Sequence, residues 1–369
     1  MKYYFTADKM TVGYDGKPLI EEVDFSLEKG EILTLIGPNG AGKSTILKSI
    51  TRQLSMIAGT VSIDGRNMAD MTGSDIARTM AVVMTDKLRT ELMTCEDVVA
   101  TGRYPYTGRF GLLSDTDRMA VAEAMELVNV TSIKDRDFSK ISDGQRQRIM
   151  LARAICQQPQ IIILDEPTSY LDIKYKLEFL SILQQLKRKQ DLTVIMSLHE
   201  LDLAERISDK IMCIDGKYVD RFGRPDEIFT AGYISGLFGV DSGSYDEIGE
   251  DVELAPVIGD VKLFVIAGAG SGRKVFRYLQ RKGIAFATGI IYKNDLDYPA
   301  AKALSTEVLA EDSFEPVSKE LIGKAKALID RCEYVVCARE SFGTYEKFNK
   351  ELYDYAVIQN KLRTDLWQK

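Results

Sequence analysis

Apolar and polar residues alternate through the opening stretch MKYYFTADKMTVGY in the two-residue rhythm of a half-buried strand, without the continuous apolar core of a signal peptide. Further along, the rhythm changes. EILTLI at 31–36, IIIL at 161–164 and LTVIMSL at 192–198 are short, largely apolar runs, the second entirely so, as expected of buried strands. KSTILKSITRQ, just after the first of them, spaces its apolar residues as a helix does, and the stretch from about 86 to 160 is mostly helical in pattern. From 240 to 257 the chain reads VDSGSYDEIGEDVELAPV, acidic and glycine-containing with no sustained period, which is a linker signature. KLFVIAG, FATGII, TEVLAE and EYVVCA then follow as strand-like runs separated by helical patterns. The expected architecture is α/β: a first domain over 1–240 with a helical subdomain at about 86–160, a linker over 241–258, and a small α/β domain with a parallel sheet over 259–369.

Composition narrows the class. A chain of 369 residues suits two or three domains, each able to bury its own core. Apolar residues at 45% and charged residues at 28% are ordinary for a soluble globular protein. A net charge of -7 argues against bulk attraction to nucleic acid. No run approaches the roughly 18 apolar residues of a membrane span, so any work at a membrane needs spans from other subunits. The five scattered cysteines, Cys95, Cys156, Cys213, Cys332 and Cys337, read as thiols in a reducing compartment.

Chemistry enters with GPNGAGKST. Gly37, Pro38, Asn39, Gly40, Ala41, Gly42, Lys43, Ser44 and Thr45 fit G-x-x-x-x-G-K-[ST] between an apolar strand and a helical run, the context that the motif requires. Its glycines let backbone N–H groups turn inward around phosphates, and the helix start adds its dipole. Lys43 would neutralise the β and γ phosphates and Ser44 would ligate Mg2+, so the expected ligands are ATP and Mg2+. IIIL carries Asp165 and Glu166 to a sheet edge, where Asp165 would hold Mg2+ through water and Glu166 would polarise an attacking water. His199 closes LTVIMSL and is the one histidine of the chain, a candidate catalytic group by its place at a strand end. Tyr14 could stack its ring on adenine, with packing at a sheet rim as the alternative.

ISDGQ, at Ile141 to Gln145, is the stretch that ties these residues together. The ordered set resembles the ATP-binding subunits of ABC transporters over about residues 1–240. Under that resemblance Gly37 to Thr45 are Walker A, Ser142 to Gln145 the signature, and Ile161 to Glu166 Walker B. SYLD, Ser169 to Asp172, corresponds to the D-loop and His199 to the switch histidine. The resemblance implies two copies facing head to tail, with Ser142, Gly144 and Gln145 of one closing on the γ-phosphate held by the other through donors at a helix start. CEDVVATGRYPYTGRFGLLSDTDR, from Cys95 to Arg118, resembles the corresponding segment of importers for iron siderophores, haem and cobalamin. It makes Arg103, Tyr104, Pro105 and Tyr106 candidates for contact with a permease, against the alternative of a solvated helix and a proline turn.

Two positions depart from the family pattern. Thr85 stands where a glutamine is usual, and its shorter reach implies a contact through another water or through Asp86. Asp143 replaces the first glycine of the signature; facing a phosphate it would be repelled, so it is expected to point away and cap a helix beginning near Gly144.

KLFVIAGAGSGRKVFRYLQRKG has the strand, glycine-rich turn and helix order of a dinucleotide fold, although the third glycine falls one position early, at Gly272. Asp295 lies at about the distance of a ribose-binding acid, and the lone tryptophan, Trp367, would report a ligand by its fluorescence. The alternative is a packing domain with a tight turn. The fold class expected is thus a P-loop ABC ATPase core with helical subdomain, plus a small Rossmann-like α/β C-terminal domain. The resemblance implies an ATP-hydrolysing importer subunit, peripheral on the cytoplasmic side of the membrane. Its implied partners are a second copy of itself, transmembrane permease subunits and, indirectly, a substrate-binding protein. Rival readings are a soluble ABC ATPase and a metabolite-sensing ATPase. Repair proteins carry a long coiled coil between phosphate loop and signature, and translation factors usually carry two cassettes; neither feature occurs in this chain.

Overall fold

Alternation at the start of the chain becomes β1 (Phe5–Tyr14), which turns back as β2 (Lys17–Leu27). The buried set on β1 switches from Phe5 and Ala7 to Met10 and Val12 because a bulge at Lys9, with φ 45°, shifts the register between them. The computed structural model describes residues 3–84, 92–108, 110–169, 171–230, 232–240, 243–246 and 251–363. By its contacts the chain divides into two units, Met1–Tyr233 and Ile234–Lys369.

In the first unit, β3 (Ile32–Ile36), buried at every residue, runs into α1 (Lys43–Ile50). Next come β4 (Ala58–Ile63), β5 (Arg66–Asn67), α2 (Gly73–Thr79) and β6 (Met80–Val83). The helical stretch holds α3 (Cys95–Ala100), α4 (Asp115–Leu127) and α5 (Asp143–Cys156). Capping boxes at Thr72, Thr94, Ser114 and Ser142 open α2 to α5, each giving first-turn N–H groups an acceptor that a short helix lacks. The chain continues through β7 (Ile161–Leu164), α6 (Ile173–Gln190), β8 (Thr193–Ser197), α7 (Leu201–Ile207), β9 (Lys210–Ile214), β10 (Val219–Gly223), α8 (Pro225–Ile228) and α9 (Tyr233–Leu237), the last spanning the division.

Two sheets result, an antiparallel one of order β2-β1-β4-β5 and a six-stranded one of order β10-β9-β3-β8-β7-β6, parallel except at β10. Their common core includes Phe5 and Met10 of β1, Ile46 and Ile50 of α1, and Leu33, Ile163 and Ile195 of the central strands. β3, β8 and β7 are neighbours in register, so their carboxyl ends emerge side by side.

After the rest of α9, the second unit has a hairpin of β11 (Ser244–Asp246) and β12 (Asp251–Glu253), inside the segment expected to be a linker. Three-residue strands are too short to show a period, and what ties the hairpin down is buried Glu253, whose Oε1 accepts from Arg277 Nη2 at 2.5 Å and whose Oε2 accepts from Arg277 Nε at 3.1 Å. Then follow β13 (Leu263–Ile266), α10 (Arg273–Arg281), β14 (Phe286–Tyr292), α11 (Tyr298–Leu304), β15 (Glu307–Glu311), α12 (Lys319–Arg331), β16 (Tyr334–Cys337), α13 (Lys347–Ile358) and β17 (Leu362–Arg363). The sheet is parallel, of order β15-β14-β13-β16-β17. β13 shows why it is covered on both sides: Leu263 and Val265 pack with Phe276 and Ala301, while Phe264 and Ile266 pack with Leu328 and Leu352. No described helix is long and apolar enough to cross a membrane.

Candidate functional site

Gly37 leaves β3 at φ 148°, where an added Cβ would lie 2.1 Å from the carbonyl oxygen of Ile214, so a side chain would push β9 away from the loop. Gly42 closes the loop at φ 98°. Between them Pro38 is half-buried, Asn39 and Gly40 are exposed at the tip, and Ala41 is buried. Lys43 begins α1 and folds back over the loop, donating from Nζ to the carbonyl oxygens of Gly37 at 2.8 Å and Pro38 at 3.0 Å. Burial lowers its pKa, an effect opposed by the nearby carboxylates of Glu166 and Asp165. Tyr14, half-exposed at the end of β1, has its hydroxyl 3.3 Å from Oγ1 of buried Thr45. The ring therefore stands beside the phosphate loop.

At the ends of β7 and β8 the acidic pair is held by hydroxyls. Ser44 Oγ donates to Asp165 Oδ1 at 3.0 Å, and Ser197 Oγ donates to the same oxygen at 2.7 Å. Glu166 takes a left-handed conformation, φ 48°, and its N–H donates to Ser197 Oγ at 2.9 Å. Its Oε1 lies 2.6 Å from His199 Nε2, and its Oε2 accepts a longer bond, 3.4 Å, from Ser169. Sequence reasoning missed Ser197 and also Glu200, which accepts from Thr168 at 2.8 Å and pairs with Lys176. Burial pushes the Glu200 carboxyl up, but those two partners outweigh it and hold it below the usual range. The signal for both was available, since they flank Leu198 and His199 at the end of the strand.

Ser44 and Asp165 place two hard oxygen donors next to each other, as Mg2+ requires. Among the described residues no cluster of three His, Cys, Asp or Glu forms a metal cage. A cation that keeps its waters and shares phosphate oxygens fits such a sparse set.

The signature lies at the start of α5. Ser142 is the N-cap: its Oγ accepts from Gln145 N at 3.3 Å, and Gln145 Oε1 accepts from Ser142 N at 3.2 Å. This corrects the expectation that Asp143 caps a helix starting near Gly144. Asp143 is already the first helical residue, exposed, and pairs with Arg146 at 3.6 Å. With its oxygen accepting from Gln145, the Ser142 hydroxyl still has its own proton to donate. Leu171 lies against Gly144, 3.5 Å from where a Cβ would be.

Arg103 is not the surface contact that the sequence suggested. Its side chain is buried, bonding Asp117 Oδ1 at 2.8 Å, the Cys156 carbonyl oxygen at 2.8 Å and Gln158 Oε1 at 3.0 Å. Gly102 permits this, because a Cβ there would meet the Arg153 carbonyl oxygen at 2.3 Å. Tyr106 stacks on the Arg103 guanidinium at 4.0 Å and bonds the Gln157 carbonyl oxygen. Tyr104, in contrast, is exposed at 79%. Thr85 and Asp86 lie outside the described residues.

In the second unit the glycine-rich turn is filled from within. Asp297 is fully buried, and its carboxylate accepts from Gly268 N at 3.0 Å, Gly272 N at 2.8 Å and Arg273 N at 3.1 Å. Burial pushes its carboxyl up despite those three donors. Asp295, expected at a ribose, instead accepts from Ala269 N at 2.7 Å. Four N–H groups of the turn, those of Gly268, Ala269, Gly272 and Arg273, are thus bonded to the chain's own carboxylates, and the Asp295 carboxylate faces into the turn. Trp367 lies outside the described residues.

Residues 20–169 match the ABC transporter family model. An uncharacterized ABC transporter ATP-binding protein of Methanocaldococcus jannaschii is 40% identical over 273 residues, which are 74% of this chain and 94% of that protein. The chain belongs to the ABC transporter ATP-binding proteins. Hydrolysis of ATP is thus its activity. Other relatives of this ABC ATPase include the iron(3+)-hydroxamate import ATP-binding protein FhuC of Bacillus subtilis, 35% identical over 64% of this chain and 88% of the relative. The cobalamin import ATP-binding protein BtuD of Halobacterium salinarum is 32% identical over 78% and 73%. Among solved structures, an ATP-binding subunit of an ABC transporter is 25% identical with a TM-score of 0.56, over 63% of this chain and 97% of that one. Residues 286–363 match a second model, the MJ0874 family, which marks the C-terminal unit as an addition to the ATPase.

Proposed function

We propose that this ABC ATPase energises uptake of an iron complex, haem or cobalamin, working as a head-to-tail pair on two permease subunits at the cytoplasmic face of a membrane. The single observation that supports its chemistry is the convergence of Glu166, His199, Asp165 and Ser44 at adjoining strand ends. Tyr14 flanks the adenine, Lys43 and the loop N–H groups from Gly37 to Thr45 hold the phosphates, and Ser142, Gly144 and Gln145 of the second copy close on the γ-phosphate. Mg2+, when bound, supplies charge neutralisation at the phosphates, with Ser44 and Asp165 as its protein oxygens. Glu166 then accepts a proton from the attacking water, while His199 keeps that carboxylate turned toward the phosphate loop.

The substrate class is supported by the relatives named for hydroxamate and cobalamin import. Contact with the permease falls to exposed Tyr104, Phe110 and Leu112 on the helical stretch rather than to Arg103. Reconstitution with the membrane subunits into liposomes tests this reading. ATP-dependent uptake of a ferric hydroxamate or of cobalamin, abolished by Glu166→Gln, is expected. Full turnover with no membrane partner recovered on purification would point to a soluble ATPase instead.

A further inference from the structure

Ser197 ends β8 and is fully buried, after Val194, Ile195 and Met196, which are equally buried. A hydroxyl at such a position costs stability unless both its donor and its acceptor are used. Both are used, and on two different residues: it donates to Asp165 Oδ1 at 2.7 Å and accepts the Glu166 N–H at 2.9 Å. The second bond falls where the backbone is least free. Glu166 at φ 48° is left-handed, a conformation that is unfavourable for a non-glycine residue and persists only where neighbours fix it. That bend decides the direction in which the Glu166 side chain leaves the strand, and so whether Oε1 reaches His199 Nε2. The first bond holds Asp165 on the oxygen that Ser44 also meets.

We propose that Ser197 is a positioning residue for ATP hydrolysis, one hydroxyl that registers Asp165 against Ser44 and Glu166 against His199. The inference rests on the reading of Glu166 as the group that activates water. A merely structural serine would stabilise the strand end without acting on the two carboxylates. The two roles separate in the full-length protein through Ser197→Ala and Ser197→Thr.

Positioning predicts that Ser197→Ala lowers kcat by about 10- to 100-fold with the KM for ATP nearly unchanged, as loss of a supporting hydrogen bond does at metal sites. It also predicts weaker binding of Mn2+, used in place of Mg2+ and followed by electron paramagnetic resonance with ADP present. The imidazole NMR signals of His199, free of overlap in a chain with one histidine, should shift in the nucleotide-free protein. Ser197→Thr keeps the hydroxyl and should restore all three; if its extra methyl lowers thermal stability, Ser197→Cys, close in volume and a weak donor, should behave as Ser197→Ala does. Wild-type kcat, Mn2+ affinity and His199 signals in Ser197→Ala would overturn the proposal. Glu166→Gln serves as reference: if it alone hydrolyses ATP normally, the reading of Glu166 fails, whereas an inert Glu166→Gln beside a fully active Ser197→Ala removes only the role of Ser197.

Discussion

Nε2 of His199 and Oε1 of Glu166 lie 2.6 Å apart, joining side chains that leave the carboxyl ends of two adjacent strands. Glu166 is the group with a reason to accept a proton, and a neutral amide there keeps the shape while losing that capacity. Glu166→Gln should bind ATP with an affinity near that of the wild type and hydrolyse it about 10^2- to 10^4-fold more slowly. Nucleotide binding by fluorescence and phosphate release in the same preparation would check both halves.

A buried ion pair makes the helical stretch sensitive to acid. The Ser114 hydroxyl and the Arg103 guanidinium hold the Asp117 carboxyl well below its usual 3.8, at about 2. A carboxyl lowered by folding gives stability that is complete above about pH 4 and is lost as the pH falls through about 2, here roughly 2 kcal/mol. Urea unfolding between pH 6 and pH 2 should show this loss, and Asp117→Asn should flatten the dependence. Arg103→Ala leaves the carboxylate buried without its cation and should cost about 3–5 kcal/mol.

Tyr104 provides the opposite case, an exposed ring beside a buried guanidinium. Tyr104→Ala should leave stability within about 0.5 kcal/mol and basal hydrolysis unchanged. Recovery of permease subunits in a pull-down should fall.

Asp297 predicts how the C-terminal unit responds to dinucleotides. With the three N–H groups already bonded to its carboxylate, NAD should give no protection from hydrogen exchange across residues 267–273. Asp297→Ala strands these donors and should lower the stability of that unit by about 2–4 kcal/mol, seen as an earlier first step on thermal unfolding, with ATP hydrolysis retained.

Much of this was written in the chain at short range. IIIL reads as a buried strand because every residue is apolar, and EILTLI because only Glu31 and Thr34 break its apolar run; the phosphate loop is legible because its glycines sit between such a strand and a helix. Ser142 was legible too, since S-x-x-Q is a capping box; reading the acid at 143 as the cap overlooked that Gln145 answers Ser142. Arg103 was not, because its partner Asp117 lies on another helix and no local period links them. Distance along the chain points to Asp295, whereas the carboxylate that enters the turn most deeply stands two residues further on. Ser197 looked like an ordinary strand residue until its neighbours were in place.

Lys43 leaves a consequence for how a nucleotide is held. Its ammonium rests on two carbonyl oxygens of its own loop, so the side chain that carries the charge for phosphates also braces the curve of that loop. A neutral residue at this position would therefore remove two things at once, a charge for the nucleotide and a strut for the turn that surrounds it.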